Sequence, residues 1–247
     1  MWTGQVDELY RNNTFTSKVV FNSDETGIDP NFIGRELSAI VSADGPMPYQ
    51  LKVPSVDRIS IVPIVSADGL VYLIAFILPS IREDATDHSP LPEEFLAESR
   101  GLPQMLYFFT PPGYMNGEIW HSICKAFGEL ASRIHPGLEK LLIIDGLNAH
   151  KTDSSLHACI DSQVQTLVLP ENTTHILQPL DQFPFANFKL KYSRKWRNAL
   201  RSMLDHNINP NLLAFKLIKE TITEALTPNA IKASFSKTGI WPYQRIW

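Results

Sequence analysis

The chain is 247 residues long, 44% hydrophobic and 19% charged, with 22 Lys and Arg against 26 Asp and Glu and a formal net charge of −4. This composition supports a substantial core and excludes wholesale disorder, and the length suits one large domain or a domain with an appendage. The longest apolar run, Leu70 to Pro79, is too short to span a bilayer, and no basic-then-apolar signal peptide opens the chain.

Residues 1–17 are polar and weakly patterned, a lead-in with some helical character. Lys18 to Asn22 reads as a strand that delivers Asp24 just beyond its end. Arg58 to Ser66 and Leu70 to Leu78 are β-branched and apolar runs separated by Ala67-Asp68-Gly69, a strong hairpin signal. The hexapeptide Ile-Val-Ser-Ala-Asp-Gly occurs at 40–45 and again at 64–69, which predicts two similar strand-to-turn endings. Residues 79–104, rich in Pro, Asp, Glu and Ser, are expected to form an exposed loop.

Asn116 to Ile134 is an amphipathic helix by the recurrence of Ile119, Ile123, Phe127, Leu130 and Ile134, and His135-Pro136-Gly137 stops it. Leu141 to Asp145 is a short apolar strand of the kind found inside a sheet covered on both faces. A helix over Ser154 to Gln163, a strand over Val164 to Leu169, and a loop through Pro170 and Pro179 follow. Helices are then predicted for Pro184 to Leu204, Asn211 to Ala225 and Asn229 to Ser236. The order predicts an α/β fold, a mixed sheet with helices on both faces. Residues 18–204 are expected to make the main domain, and 205–247 a C-terminal helical extension.

Cys124 and Cys159 suit neither a disulfide framework nor a zinc site, so a reducing intracellular compartment is expected. Charge is unevenly spread. Residues 83–98 carry Glu83, Asp84, Asp87, Glu93, Glu94 and Glu98 without a Lys or Arg, whereas residues 189–201 carry six cations and no acid. On the 184–204 helix, Phe185, Phe188, Tyr192, Trp196, Ala199 and Met203 share one face by 3.6-residue spacing. Lys191, Arg194, Lys195 and Arg201 share the other, and Lys189 projects near the edge of the apolar face. Such a basic stripe is either a solvated face or a contact for nucleic-acid phosphates.

Three aspartates stand at element ends. Asp24 follows a strand, Asp145 ends another, and Asp181 precedes a helix, with 35 residues between the last two. Converging carboxylates repel one another and are costly unless cations bind, and a pair of Mg²⁺ ions so held can cut a phosphodiester. Each aspartate taken singly also fits a turn, a helix cap or a loop acid. Glu25 should point away from Asp24 if the strand continues, and Trp241 and Tyr243 should pin the tail to the core.

Four words occur in order. They are Asn-Ser-Asp-Glu-Thr-Gly (22–27), Asp-Gly-Leu-Asn-Ala-His (145–150), His-Ile-Leu-Gln-Pro-Leu-Asp (175–181) with Phe185 and Lys189 downstream, and Thr-Gly-Ile-Trp-Pro-Tyr (238–243). From about Val19 to Tyr243 the chain resembles the catalytic domain of pogo-like transposases, in the mariner/pogo superfamily of DDE endonucleases. The resemblance implies an RNase H-like fold and metal-dependent nicking and joining of DNA. It makes Asp24, Asp145 and Asp181 the catalytic metal ligands for two Mg²⁺ or Mn²⁺ ions. By their placement, His175 and Gln178 are expected to hold the Asp181 loop, His150 to support the site or serve as an ordinary loop histidine, and Lys189, Lys191, Arg194 and Lys195 to contact DNA.

The implied partner is DNA, both transposon ends and target, in the nucleus, with no membrane and with homo-oligomerisation left open. The family usually has Asp-Gly-His-x-Ser-His in the second word, and here Leu147 and Ala149 replace the first His and the Ser. The family's helix-turn-helix modules are also missing, since Met1 lies only 23 residues ahead of Asp24, so a bare catalytic domain, a fragment or a truncated copy is expected. The rival reading is a domesticated relative that no longer cuts and serves in DNA, chromatin or protein binding.

Overall fold

The computed structural model describes residues 2–28, 58–79, 102–110, 113–146, 153–206 and 210–244. The acidic 83–98 stretch, the first hexapeptide copy and His150 lie outside the described residues, as do the side chains of Arg201 and Met203.

The hairpin forms as the sequence predicts. Strands β3 (Ile59–Ser66) and β4 (Val71–Pro79) pair antiparallel, with a register shift at Ile64/Val65. Gly69 turns the tip at φ +94°, where a side chain would also press on the Pro228 backbone.

β1 (Val20–Ser23) pairs antiparallel with the far end of β3. β2 (Thr26–Ile28), not expected from sequence, pairs with the near end in the same register, Ser23 opposite Ile64 and Thr26 opposite Ile61. The two are one strand interrupted at Asp24 and Glu25. Opposite the interruption stand Pro63 and Val62. The Pro63 carbonyl accepts a bond from Ser23 Oγ at 3.1 Å, so its missing N–H faces the same gap. The ladder opens where no donor exists to close it.

Three further strands complete the sheet. β5 (Gln104–Thr110) runs parallel to β4 at one edge, β6 (Lys140–Ile144) parallel to β1, and β7 (Val164–Val168) parallel to β6 at the other edge. β5 begins at the end of the expected 79–104 loop. Its aromatic run sits half-buried throughout, as an edge strand does. Within the order β5-β4-β3-β1-β6-β7, the antiparallel strands β4, β3 and β1 are joined to the parallel β6 and β7, the RNase H-like arrangement, and β5 adds a parallel edge beyond β4.

Helices cover both faces. On one face, α2 (Gly117–Ile134), capped by Asn116 through a 2.9 Å bond to the Ile119 N–H, and α3 (Asp153–Asp161) bury Trp120, Ile123, Phe127 and Cys159 against Phe21, Val62, Ile64, Leu142 and Ile144. Cys124 and Cys159 are free thiols within this layer. The other face takes α6 (Pro184–His206), α7 (Pro210–Ala225) and α8 (Pro228–Lys237). They place Phe188, Tyr192, Trp196, Phe215, Ile222 and Phe235 on Val20, Ile61, Val65, Leu141 and Ile143. The helices of 205–247 thus share a core with the sheet. Between the last strand and α6 lie two single-turn helices, α4 (Thr174–Leu177) and α5 (Pro179–Gln182).

The lead-in is helical. Tyr10, on α1 (Trp2–Asn12), stacks on Tyr243 at 4.5 Å and donates to the Ile240 carbonyl, while Tyr243 donates to Asp7 at 2.5 Å. Trp241 packs against the core, so both tail aromatics hold the tail in place.

On the α6–α7 side, Tyr192 stacks on Trp196, yet Tyr192 Oη, Trp196 Nε1 and Thr221 Oγ1 have no hydrogen-bond partner among the described residues. A buried unpaired hydroxyl is a net cost. Tyr192→Phe should therefore leave stability unchanged or raise it by up to about 1 kcal/mol. Trp196→Ala should lower it by about 3–5 kcal/mol through the cavity it leaves. Urea unfolding of both variants checks this, and a marked loss in Tyr192→Phe would reveal a partner for that hydroxyl.

Candidate active site

Side-chain alternation fixes which face each residue serves. Val20 on β1 and Leu141 and Ile143 on β6 belong to the layer beneath α6–α8. Asn22 and Asp24 continue the first series, and Asp145 the second. The parallel register pairs Val20 with Leu141 and Asn22 with Ile143. Asp24 and Asp145 each lie two residues beyond the last pair, just past the ends of β1 and β6.

The third aspartate arrives by a different device. Asn22, wholly buried, donates from Nδ2 to the Ile143 carbonyl (2.9 Å) and to Gln178 Oε1 (2.6 Å), and its Oδ1 accepts the Leu180 N–H (3.1 Å). Gln178 Nε2 donates to the Ser23 carbonyl at 3.0 Å, and the same side chain bonds the Asp24 carboxyl. Two amides thus join β1, β6 and α5, the turn that carries Asp181. Asn22 was not among the residues expected to support the site, and its polarity inside a buried strand is the signal that would have marked it.

Asp24 is buried, and its pKa is raised well above the usual carboxylate value, first by burial and then by Asp181 and Asp145. The Glu25 N–H, 2.9 Å from Asp24 Oδ1, and Gln178 act in the other direction. Partial burial also raises Asp181, Lys189 opposes that shift, and Asp145 adds to it.

Three carboxylates, oxygen donors only, with ionisation disfavoured at Asp24 and Asp181, form a donor set suited to a hard divalent cation. Among the described residues, no group of three or more His, Cys, Asp or Glu is closed into a metal-binding cluster. The two observations concern different ranges: the aspartates lie within electrostatic reach of one another, and that reach extends beyond a coordination sphere.

The remaining sequence candidates separate. Lys189 acts on Asp181. Lys191 Nζ bonds the Glu224 carbonyl at 3.0 Å, and Lys195 pairs with the Glu224 carboxylate at 2.6 Å, so both lean on α7. Arg194 is exposed. His175 is exposed, and its carbonyl accepts from Gln182. Glu25 points to the opposite face, where it pairs with Arg58 at 3.6 Å.

A carboxyl raised in the folded chain above its unfolded value of about 3.9 binds its proton more tightly when folded. The stability this confers is present in acid and is lost as pH rises through the raised value. In buffer without divalent cations, Asp24→Asn should therefore melt at a higher temperature than the parent at neutral pH, with the gap closing below about pH 4. Paired thermal melts across pH check this, and a parent chain at least as stable at neutral pH would contradict it.

The comparisons with known proteins fall into three kinds. A family model described as DDE superfamily endonuclease matches residues 92–235. Over 110 residues, 44% of the chain, it is 32% identical to MFS-type transporter clz9 of Cochliobolus lunatus, of which it spans 12%. Among the described residues, no helix is long and apolar enough to cross a membrane. The chain is also similar, at 10% identity and a TM-score of 0.45, to the catalytic domain of Mos1 mariner transposase, with 96% of this chain and 92% of that one covered. For the Mos1 transposase paired-end complex with left transposon end, the values are 10% and 0.46, with 94% of this chain covered and about 60% of that one. The family match extends over more than half of the sequence, and the chain belongs to the DDE superfamily endonucleases.

Proposed function

We propose that this domain hydrolyses DNA phosphodiesters in a metal-dependent reaction and, as part of a transposase, joins the freed 3′-hydroxyl to target DNA. The observation that supports this reading is the parallel pairing of β1 with β6, whose neighbouring ends lead into Asp24 and Asp145, with Asp181 and Asp145 both raising the Asp24 pKa. In this reading Asp24, Asp145 and Asp181 would hold two Mg²⁺ or Mn²⁺ ions, which would supply Lewis-acid chemistry toward the attacking water and the leaving oxygen.

The chain's own residues do the rest. Gln178 and the Glu25 N–H orient the Asp24 carboxyl, and Asn22 holds the Asp181 turn at a fixed distance from both strands. Lys189 stabilises the Asp181 carboxylate and stands ready to meet a substrate phosphate. No covalent enzyme intermediate is required. The DNA partner puts the working chain in the nucleus.

Asp145→Asn keeps size and hydrogen bonding but removes the charge that holds a cation. Nicking of supercoiled plasmid in Mg²⁺ or Mn²⁺ should fall to background. A cation at about 100 times its Kd stabilises a folded chain by about 2.7 kcal/mol, and the variant should lose that gain. Equal nicking by parent and variant would remove Asp145 from the ligand set. A parent that never nicks, even fused to a helix-turn-helix module, would favour the domesticated reading.

The basic helix divides its work. Lys189→Gln should flatten the log–log salt dependence of DNA affinity by roughly 0.9. A Lys191→Gln/Lys195→Gln double variant should change it less, because both side chains are engaged by Glu224. Binding titrations at several salt concentrations decide between the two.

A further inference from the structure

Two residues beyond Asp181 the chain presents a large aromatic to solvent. Phe183, at the end of α5, is 43% exposed even though Lys237 of α8 lies over its ring, with Nζ 4.6 Å from the centroid. Leu190, on the second turn of α6, is 51% exposed. Ile176 on α4 adds a third exposed apolar side chain. Single exposed hydrophobics need no explanation, but an exposed ring two residues from Asp181, with one ammonium over it and a second, Lys189, acting on Asp181, does.

Resting on the reading above, we infer that Phe183 and Lys237 form a stacking platform for an unpaired nucleotide at the DNA end beside the scissile phosphate. A flat aromatic face accepts any base, and a neighbouring ammonium meets the backbone phosphate and strengthens the stack. The bases of an intact duplex already have their faces covered by their neighbours. Only a frayed or single-stranded end can offer a base plane to Phe183. Charge selects the occupant: the apolar ring is bordered by cations, which suits a nucleotide better than an acid-free peptide face. The platform also gives the chain a way to distinguish an opened DNA end from continuous duplex without reading sequence.

The test uses two synthetic duplexes of one sequence. One is blunt, and the other carries a short single-stranded overhang with 2-aminopurine at its first unpaired position. The parent chain should bind the overhang form tighter by roughly 5- to 100-fold and change the probe's fluorescence by stacking. Phe183→Leu, still apolar and at an exposed position, should bring the affinity ratio close to one and abolish the fluorescence change. Phe183→Trp should retain both. A parent that nicks plasmid yet shows no overhang preference, or a Leu variant that keeps it, overturns the platform alone. A parent that neither binds nor nicks any DNA overturns the platform together with the proposed function.

Discussion

The Asn22–Gln178 amide pair is the constraint on which the rest of this structure depends. A buried amide is expensive unless its donors and acceptor are satisfied, and here the partners come from β1, β6 and α5 together. The arrangement works against charge. Asp24 feels both Asp181 and Asp145, and its burial penalises the ion further, so folding energy from the two hydrophobic layers holds the Asp24 carboxyl where it is hard to ionise. A fold that served only its own stability would have no use for that. The strain therefore points toward a ligand of opposite charge.

Much of the architecture was legible in the sequence because it is periodic. The 3.6-residue recurrence from Ile119 to Ile134 marks α2, and the run ending at Asp145 marks β6 within a residue. Alternation even sets the faces of Asp24 and Glu25. What was not legible depends on long-range partners. Asn22 is an ordinary strand residue until Gln178, 156 positions away, closes on it. Lys191 and Lys195 read as a free basic face because Glu224 lies on another helix. β2 was hidden because the strand containing it is interrupted. β5 was hidden at the margin of a loop rich in Pro and acids.

Pro63 explains why neighbouring residues can have such different surroundings. In an unbroken ladder Asp24 would be one more pleated position. Opposite a residue without an N–H, its backbone is released from pairing, and the Glu25 N–H turns instead to the Asp24 carboxylate. Glu25 meanwhile holds Arg58, whose guanidinium lies over Tyr114 and against Gly27, where any side chain would collide with it. The strand's two faces thus carry an acid site and a basic-aromatic brace, one residue apart.

The contacts between Tyr10, Ile240 and Tyr243 carry a kinetic consequence. α1 has eleven residues, too few to hold its shape alone in water, and its partners lie more than two hundred residues further along the chain. During synthesis the sheet can assemble while the first helix waits undocked. Closing a loop of more than two hundred residues then completes the fold, at an entropy cost that grows only slowly with that length. The ring stack between Tyr10 and Tyr243 is thus a late event, because it waits for the 240–243 segment to follow the sheet strands into the fold.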